Sequence, residues 1–308
     1  MKIIHGLNQI KRYPKPVVAL GVFDGVHLGH RAILKAVVRK ARAIGGTSMA
    51  VTFFPHPQAQ SSLYSLEHRL RLIAELGIDV CVIIKFSREF ANILAEDFIK
   101  NILVKRIRAH YIYVGRNFRF GKGAHGDFRL LEKLSRIHGF RVRPFKVLKT
   151  GNRNISSTYI RRLITNGKLN LAQRLLGRPV SVFGTVIRGA SLARIMGFPT
   201  ANINPHHEVL PPSGIYAGQV IFNKDKLNGV CYIGRRPTFS MQGLSKKVKN
   251  LKHIEVHIFN FNKNIYGKDL EIQFLKKIRE EKKFVSPSPL IAQIKKDMQL
   301  ASKLFPRH

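Results

Sequence analysis

A short apolar run that turns through glycines into a long helical pattern constrains this chain more than any other feature. Val17, Val18, Ala19 and Leu20 make the run, and Gly21-Val22-Phe23-Asp24-Gly25-Val26-His27-Leu28-Gly29-His30 follows it. Ile33, Ala36, Val37, Ala41 and Ile44 then recur at steps of three and four until Gly45-Gly46. An all-apolar strand suits a parallel sheet covered on both faces, with the helix returning over one of them. The junction therefore presents unpaired backbone N–H groups and the positive end of a helix dipole. Gly25 and Gly29 remove side chains where an anion would approach, and His27 and His30 share one side of the first helical turn. That combination is a site for phosphate chemistry.

The same alternation continues through the first half of the chain. Strands are expected at 49–54, 80–84, 111–114 and near 142–147, with helices at 95–107 and at 127–138, the latter closed by Gly139. Another helix, capped by Ser65 and ended by Gly77, should turn Leu66, Leu70, Ile73 and Leu76 inward. The product is a doubly wound parallel sheet, whose ligands bind beyond the carboxyl ends of the strands. Residues 23–30, 55–57 and 115–121 all fall there. Near residue 177 the texture changes. Helical patterns at 157–165 and 169–176 give way to short strands at 181–187, 216–222, 229–233, 254–259 and 270–274, the spacing of a small antiparallel Greek-key barrel. A last helix, about 289–300, should pack on its outside. The fold class is thus α/β plus all-β, with domains at 1–178 and 179–308.

Composition narrows the function classes. Among 308 residues, 54 Lys and Arg face 17 Asp and Glu, giving a formal charge of +37 that attracts polyanions. The basic residues are spread along the chain, whereas a dedicated nucleic-acid footprint would concentrate them in one arm or helix face, so specific nucleic-acid binding is disfavoured. Cys81 and Cys231 stand far apart without partners at metal-ligand spacing, which argues against a disulfide framework or a cysteine zinc site. No apolar run has the length of a signal peptide core or a membrane span. A cytoplasmic protein without membrane partners is expected.

No serine, cysteine or lysine stands beside the two imidazoles to act as a covalent nucleophile, so they suit charge stabilisation at a phosphorus under in-line attack. That is direct nucleotidyl transfer. Gly121-Lys122-Gly123-Ala124-His125-Gly126 matches a dinucleotide-binding pattern, yet it lies past its strand and lacks the later acidic residue, and it reads better as a mobile loop over the nucleotide site. Walker A sequences are absent. In the second half, Thr200 and Asn202 flank one position of an extended segment, where they form either a turn or a pair of oxygen ligands for Mg²⁺. Glu255 lies in His253-Ile254-Glu255-Val256-His257-Ile258, whose alternation sends the isoleucines and valine to one face and the polar groups to the other. It is a candidate general base, with a solvated strand face and a zinc site as the alternatives.

Four segments together resemble the adenylyltransferase half of the bacterial bifunctional riboflavin kinase/FAD synthetases. They are residues 23–30, Thr52-Phe53-Phe54-Pro55-His56-Pro57, Gly115-Arg116-Asn117-Phe118-Arg119-Phe120-Gly121 and Ile155-Ser156-Ser157-Thr158-Tyr159-Ile160-Arg161. Gly197-Phe198-Pro199-Thr200-Ala201-Asn202, Gly214-Ile215-Tyr216-Ala217, Gly234-Arg235-Arg236-Pro237-Thr238-Phe239 and Ile254-Glu255-Val256-His257 resemble the kinase half. The resemblance implies ATP phosphates held by Phe23, Gly25, His27, Gly29, His30, Ser157, Thr158 and Arg161, and a flavin near Phe54, Asn117 and Phe118. For the kinase it implies ATP at Gly189, Arg194, Gly197 and Pro199, Mg²⁺ at Thr200 and Asn202, and Glu255 as the base acting on riboflavin. Ala193 stands where the family commonly has glycine. The implied reactions are riboflavin to FMN and FMN to FAD, with ATP as donor in both. A nucleic-acid-binding scaffold and an enzyme adenylylating another phosphate ester are the competing classes.

Overall fold

The computed structural model describes residues 1–57, 62–146, 148–151, 153–189, 197–235 and 252–305. The chain divides into two compact units, Met1–Ser157 and Thr158–His308.

The first unit is built on a six-stranded sheet whose neighbours all run parallel. Its strands are β1 (Lys2–His5), β2 (Val17–Leu20), β3 (Ser48–Phe54), β4 (Val80–Lys85), β5 (Tyr111–Gly115) and β6 (Arg141–Phe145), in the order β1-β4-β3-β2-β5-β6. Every residue of β2 is buried, as an all-apolar central strand requires. Helix α1 (Leu28–Ala43) turns Ile33, Leu34, Val37, Val38 and Ala41 into the core and packs on β2, β3 and β5. Helix α2 (Leu66–Ala74) is capped by Ser65, whose hydroxyl accepts the His68 N–H at 3.2 Å. Short helices α3 (Arg88–Ala91) and α4 (Ala95–Asp97) come next, and α5 (Phe128–His138) ends at Gly139 with φ +71°.

Four departures from the sequence expectations have physical causes. Helix α2 buries His68, Arg69, Leu72 and Ile73 and leaves Leu66, Leu70 and Leu76 half-buried, with Arg69 reaching the Val22 carbonyl inside. The helix expected over 95–107 continues beyond α4 as a π-helix, Phe98–Arg106. Buried Phe98, Ile102 and Ile107 step by four and five positions, and the wider turn keeps them on one side. Strand β1 carries little pattern, since only Ile4 of its residues is buried at the sheet edge. The expected loop at 121–126 is a pinned turn, with Phe120 and Gly126 exchanging both backbone hydrogen bonds and Lys122 N–H bonded to the Ile93 carbonyl.

The second unit opens with α6 (Ser157–Thr165) and α7 (Leu169–Leu176), followed by a closed antiparallel barrel. A two-stranded ribbon, β7 (Lys149–Thr150) with β8 (Arg153–Asn154), ends the first unit. The barrel strands are β9 (Val180–Ile187), β10 (Ala201–Asn204), β11 (Gly214–Phe222), β12 (Asp225–Arg235), β13 (Lys252–Ile258) and β14 (Asp269–Arg279), closed in the order β10-β13-β12-β11-β14-β9. Gly184 is required where β9 crosses β10, since a Cβ there would overlap the Asn204 carbonyl. Helix α8 (Pro287–Ser302) then covers the barrel, with Ala301 and Phe305 packed on Ala217.

A bidentate ion pair anchors α8. Arg279 donates from Nε to Asp297 Oδ1 at 2.9 Å and from Nη2 to Oδ2 at 2.7 Å, and Asp297 is 2 % exposed. Removing one member of a buried pair leaves the other uncompensated, at a cost of about 3–5 kcal/mol. Asp297→Ala should therefore lower stability by about 3 kcal/mol in denaturant unfolding, the lower end because Arg279 keeps some solvent access. Both free cysteines are buried, and burial pushes the Cys81 thiol up to about 12 and that of Cys231 higher still. The thiolate is the reactive form, so neither should react with iodoacetamide at pH 8 until denaturant is added, as mass spectrometry would register.

Candidate functional site

The order β4-β3-β2-β5-β6 means that the chain leaves β2 toward one side of the sheet and returns to β5 on the other. A crevice opens above such a reversal, and the 21–27 turn after β2 lies at that point. Within it, Phe23 N-terminally and Val26 C-terminally bracket Asp24-Gly25, and the Val26 N–H donates to the Phe23 carbonyl at 3.2 Å. Phe23 and Val26 both have left-handed backbones, φ +53° and +40°. For a β-branched residue that is a true outlier, of a kind sustained only where surrounding structure determines it.

This turn delivers the two imidazoles. His27 caps α1, its Nδ1 accepting the His30 N–H at 3.4 Å, and the two rings stack with centroids 3.7 Å apart and planes 19° apart. Gly29 makes room for this, since a Cβ there would press on the His27 ring at 3.2 Å. The edge of Phe23 meets His30 at 5.4 Å. Phe23, Asp24, Gly25 and His27 are buried, while Gly29 and His30 are half-buried. The structure therefore brings Phe23, Gly25, His27, Gly29 and His30 into one mouth.

Arg69 escaped the sequence reading, while Asp24 and His56 appeared there only as members of their motifs, without a role. Asp24 is 1 % exposed, accepts the Leu63 N–H at 2.8 Å through Oδ1 and lies 4.0 Å from His56 Nε2 through Oδ2. Arg69, also 1 % exposed, donates from Nη1 to the Val22 carbonyl at 2.8 Å. Burial draws its guanidinium below its ordinary range, with Asp24 acting in the opposite direction. The only signal in the sequence was an arginine at an α2 position three and four residues from apolar ones.

Phe54 follows at the end of β3 and is 45 % exposed. After β5, a turn closed by Phe118 N–H on the Gly115 carbonyl leaves Asn117 exposed, and Phe118 stacks on Phe120 at 5.7 Å. Ser157 and Thr158 open α6 at the division between the two units, and Arg161 follows one turn later, half-buried.

In the barrel, Asn202 on β10 and Glu255 on β13 are direct cross-strand partners, so their side chains share a face. Ile254, Val256 and Ile258 fill the core while Glu255 remains 30 % exposed, the expected alternation. A cavity of ≈ 280 Å³ is lined by Gly189, Pro199, Thr200, Asn202, Lys263 and Tyr266 among others. A Cβ at Gly189 would overlap the Asn202 amide and force it to move. Gly197 takes φ +86°, and the following Pro199 carbonyl accepts from His257 Nδ1 at 2.8 Å. His253 Nε2 lies 3.4 Å from Glu255 Oε1 and its ring abuts Tyr232, whose hydroxyl donates to Glu281. Arg194 lies outside the described residues. Among those described, no cluster of three or more His, Cys, Asp or Glu side chains is placed to hold a metal ion.

Two family models match the chain, FAD synthetase over residues 9–159 and riboflavin kinase over residues 176–305. Relatives described as bifunctional riboflavin kinase/FMN adenylyltransferase are 37% identical in Escherichia coli K12, across 99% of this chain and 98% of theirs. The Haemophilus influenzae relative is 37% identical across 99% of each chain, and that of Bacillus subtilis 35% identical across 98% and 97%. A solved Streptococcus pneumoniae structure, described as a macrolide-efflux protein, superposes with a TM-score of 0.81 at 27% identity over 98% of this chain and 99% of its own. No helix among the described residues is long and apolar enough to cross a membrane. With both halves matched in order and the relatives aligned end to end, this chain belongs to the bifunctional riboflavin kinase/FMN adenylyltransferase family.

Proposed function

We propose that the two activities of this family, phosphorylation of riboflavin to FMN and adenylylation of FMN to FAD, run at separate sites in this chain. We place the boundary between the two domains at residue 178. The observation that carries this reading is the stacked pair His27 and His30 above the sheet's strand-order reversal. With its Nδ1 accepting the His30 N–H, His27 keeps Nε2 as its ring donor toward a phosphate. The two imidazoles would stabilise the charge that builds on the ATP α-phosphorus as an FMN phosphate oxygen attacks it and pyrophosphate departs. Phe23, Gly25 and Gly29 shape that mouth, and the family resemblance assigns Ser157, Thr158 and Arg161 to ATP phosphates as hydroxyl and guanidinium donors. Phe54, Asn117 and Phe118 offer aromatic faces and an amide suited to a flat, polar-edged ring.

In the barrel, the cavity lined by Gly189 and Pro199 would take ATP, with Gly197 and Arg194 added by the family resemblance. Thr200 and Asn202 present hydroxyl and amide oxygens on its wall, hard donors that fit Mg²⁺. Bound there, the ion would neutralise phosphate charge. Glu255, opposite Asn202, would accept the proton of the ribityl hydroxyl as its oxygen attacks the γ-phosphorus and ADP leaves. The free, buried thiols agree with a cytoplasmic setting. The dispersed positive charge serves these anionic small molecules rather than a specific nucleic acid.

Separability tests the reading. With riboflavin, ATP and Mg²⁺, the double variant His27→Ala, His30→Ala should accumulate FMN while FAD formation falls by roughly 10³-fold or more, the scale of losing charge-stabilising donors. Glu255→Ala should slow FMN formation by roughly 10²- to 10⁴-fold and leave adenylylation of supplied FMN intact. Chromatography of the flavins distinguishes these outcomes. Loss of both activities in either folded variant would refute independent sites, and ATP consumption without FAD would point to a different phosphate ester.

A further inference from the structure

Arg69 is a costly residue to place where it is. A guanidinium removed from water carries a penalty of several kcal/mol unless its donors are matched, yet its Nε and Nη2 have no hydrogen-bond partner among the described residues. What it does have is the Val22 carbonyl, 47 positions away in sequence, and the field of Asp24. The hydroxyl of Thr52 donates to that same carbonyl at 2.8 Å. Two buried donors, one from α2 and one from β3, thus converge on one oxygen. That oxygen belongs to the peptide group immediately before Phe23, where the backbone enters its left-handed conformation. Orienting this peptide sets the direction in which Phe23, Asp24 and the imidazoles leave the sheet.

We propose that Arg69 is a positioning residue for adenylyl transfer, acting with Thr52 through the Val22 carbonyl to hold the strained turn that presents His27 and His30. The inference rests on reading those two histidines as the phosphate-facing pair. Arg69 itself lies beneath the turn, 1 % exposed, and touches no solvent-facing surface. Its charge also compensates the buried Asp24 carboxylate, which in turn holds Leu63 and faces His56. One side chain of α2 therefore acts on both Val22 and Asp24, at the start of the turn.

The test uses full-length Arg69→Met, Arg69→Lys and Thr52→Val, with riboflavin phosphorylation in the same preparations reporting on the barrel. Arg69→Met keeps the apolar stem and removes the donors. It should lower kcat for FAD formation roughly 10²-fold, the scale of an ångström-sized misplacement of catalytic groups, while KM for ATP changes less than about threefold and FMN formation is unchanged. Arg69→Lys, which restores a charge and a donor, should recover kcat to within roughly tenfold of the parent. Thr52→Val removes the second donor and should lower kcat by roughly three- to tenfold, the scale of one lost hydrogen bond. A purely structural role would instead lower the fraction of active protein and the thermal midpoint and leave kcat per folded molecule unmoved. Parental kcat in folded Arg69→Met overturns the proposal. If that variant does not fold, parental kcat in Thr52→Val, or no difference between Arg69→Lys and a folded Arg69→Gln, overturns it instead. Persistence of FAD formation in the His27→Ala, His30→Ala protein would sink the underlying assignment separately.

Discussion

The carbonyl of Val22 is the point on which the amino-terminal unit turns. A strand whose residues are all buried must end somewhere, and the way it ends decides where the next helix begins. Here the exit passes through two left-handed residues with side chains, Phe23 and Val26, rather than through glycine. Such a conformation costs on the order of 1–3 kcal/mol per residue and survives only under restraint. Arg69 and Thr52 supply that restraint from one side, and Asp24, bonded to Leu63, supplies it from the other. The stacked histidines are the consequence. Gly29 lets the His27 ring fold back over the helix start, and Phe23 closes on His30.

The barrel is organised by different means. Its polar groups sit on extended strands, where alternation puts Asn202 and Glu255 on one face and keeps Ile203, Ile254 and Val256 within the core. Glycine works here by absence of a side chain, at Gly184 against a neighbouring carbonyl and at Gly189 against the Asn202 amide. The amino-terminal unit relies on a helix start and backbone strain; the barrel relies on register. Under the proposed function these are independent ways of holding a nucleotide, one in each family half.

Charge is distributed with the same economy. Against 54 basic residues there are 17 acidic ones, and Asp24, Glu208, Glu271 and Asp297 are buried. Asp297 ties α8 to Arg279, Glu208 accepts the Phe183 N–H at 3.0 Å, and Asp24 sits under the phosphate mouth. Scarce carboxylates are thus used inside as structural acceptors, while the outward field stays positive and favours anionic substrates.

What the sequence determined by itself is whatever local periodicity and capping control. The limits of α6 and α7, the Ser65 cap, the left-handed Gly139 and the inward face of β13 are all legible from residues within one or two turns of each other. So are His27 and His30, because a helix start converts a spacing of three into contact. Tertiary structure decided the rest. The inward rotation of α2, the role of Arg69 and the pairing of Asn202 with Glu255 depend on partners far away in the chain, and no local pattern encodes which distant carbonyl or strand will be met. A buried arginine reads as a surface residue until its acceptor is known, since hydropathy measures transfer from water and the fold supplies the compensating oxygen.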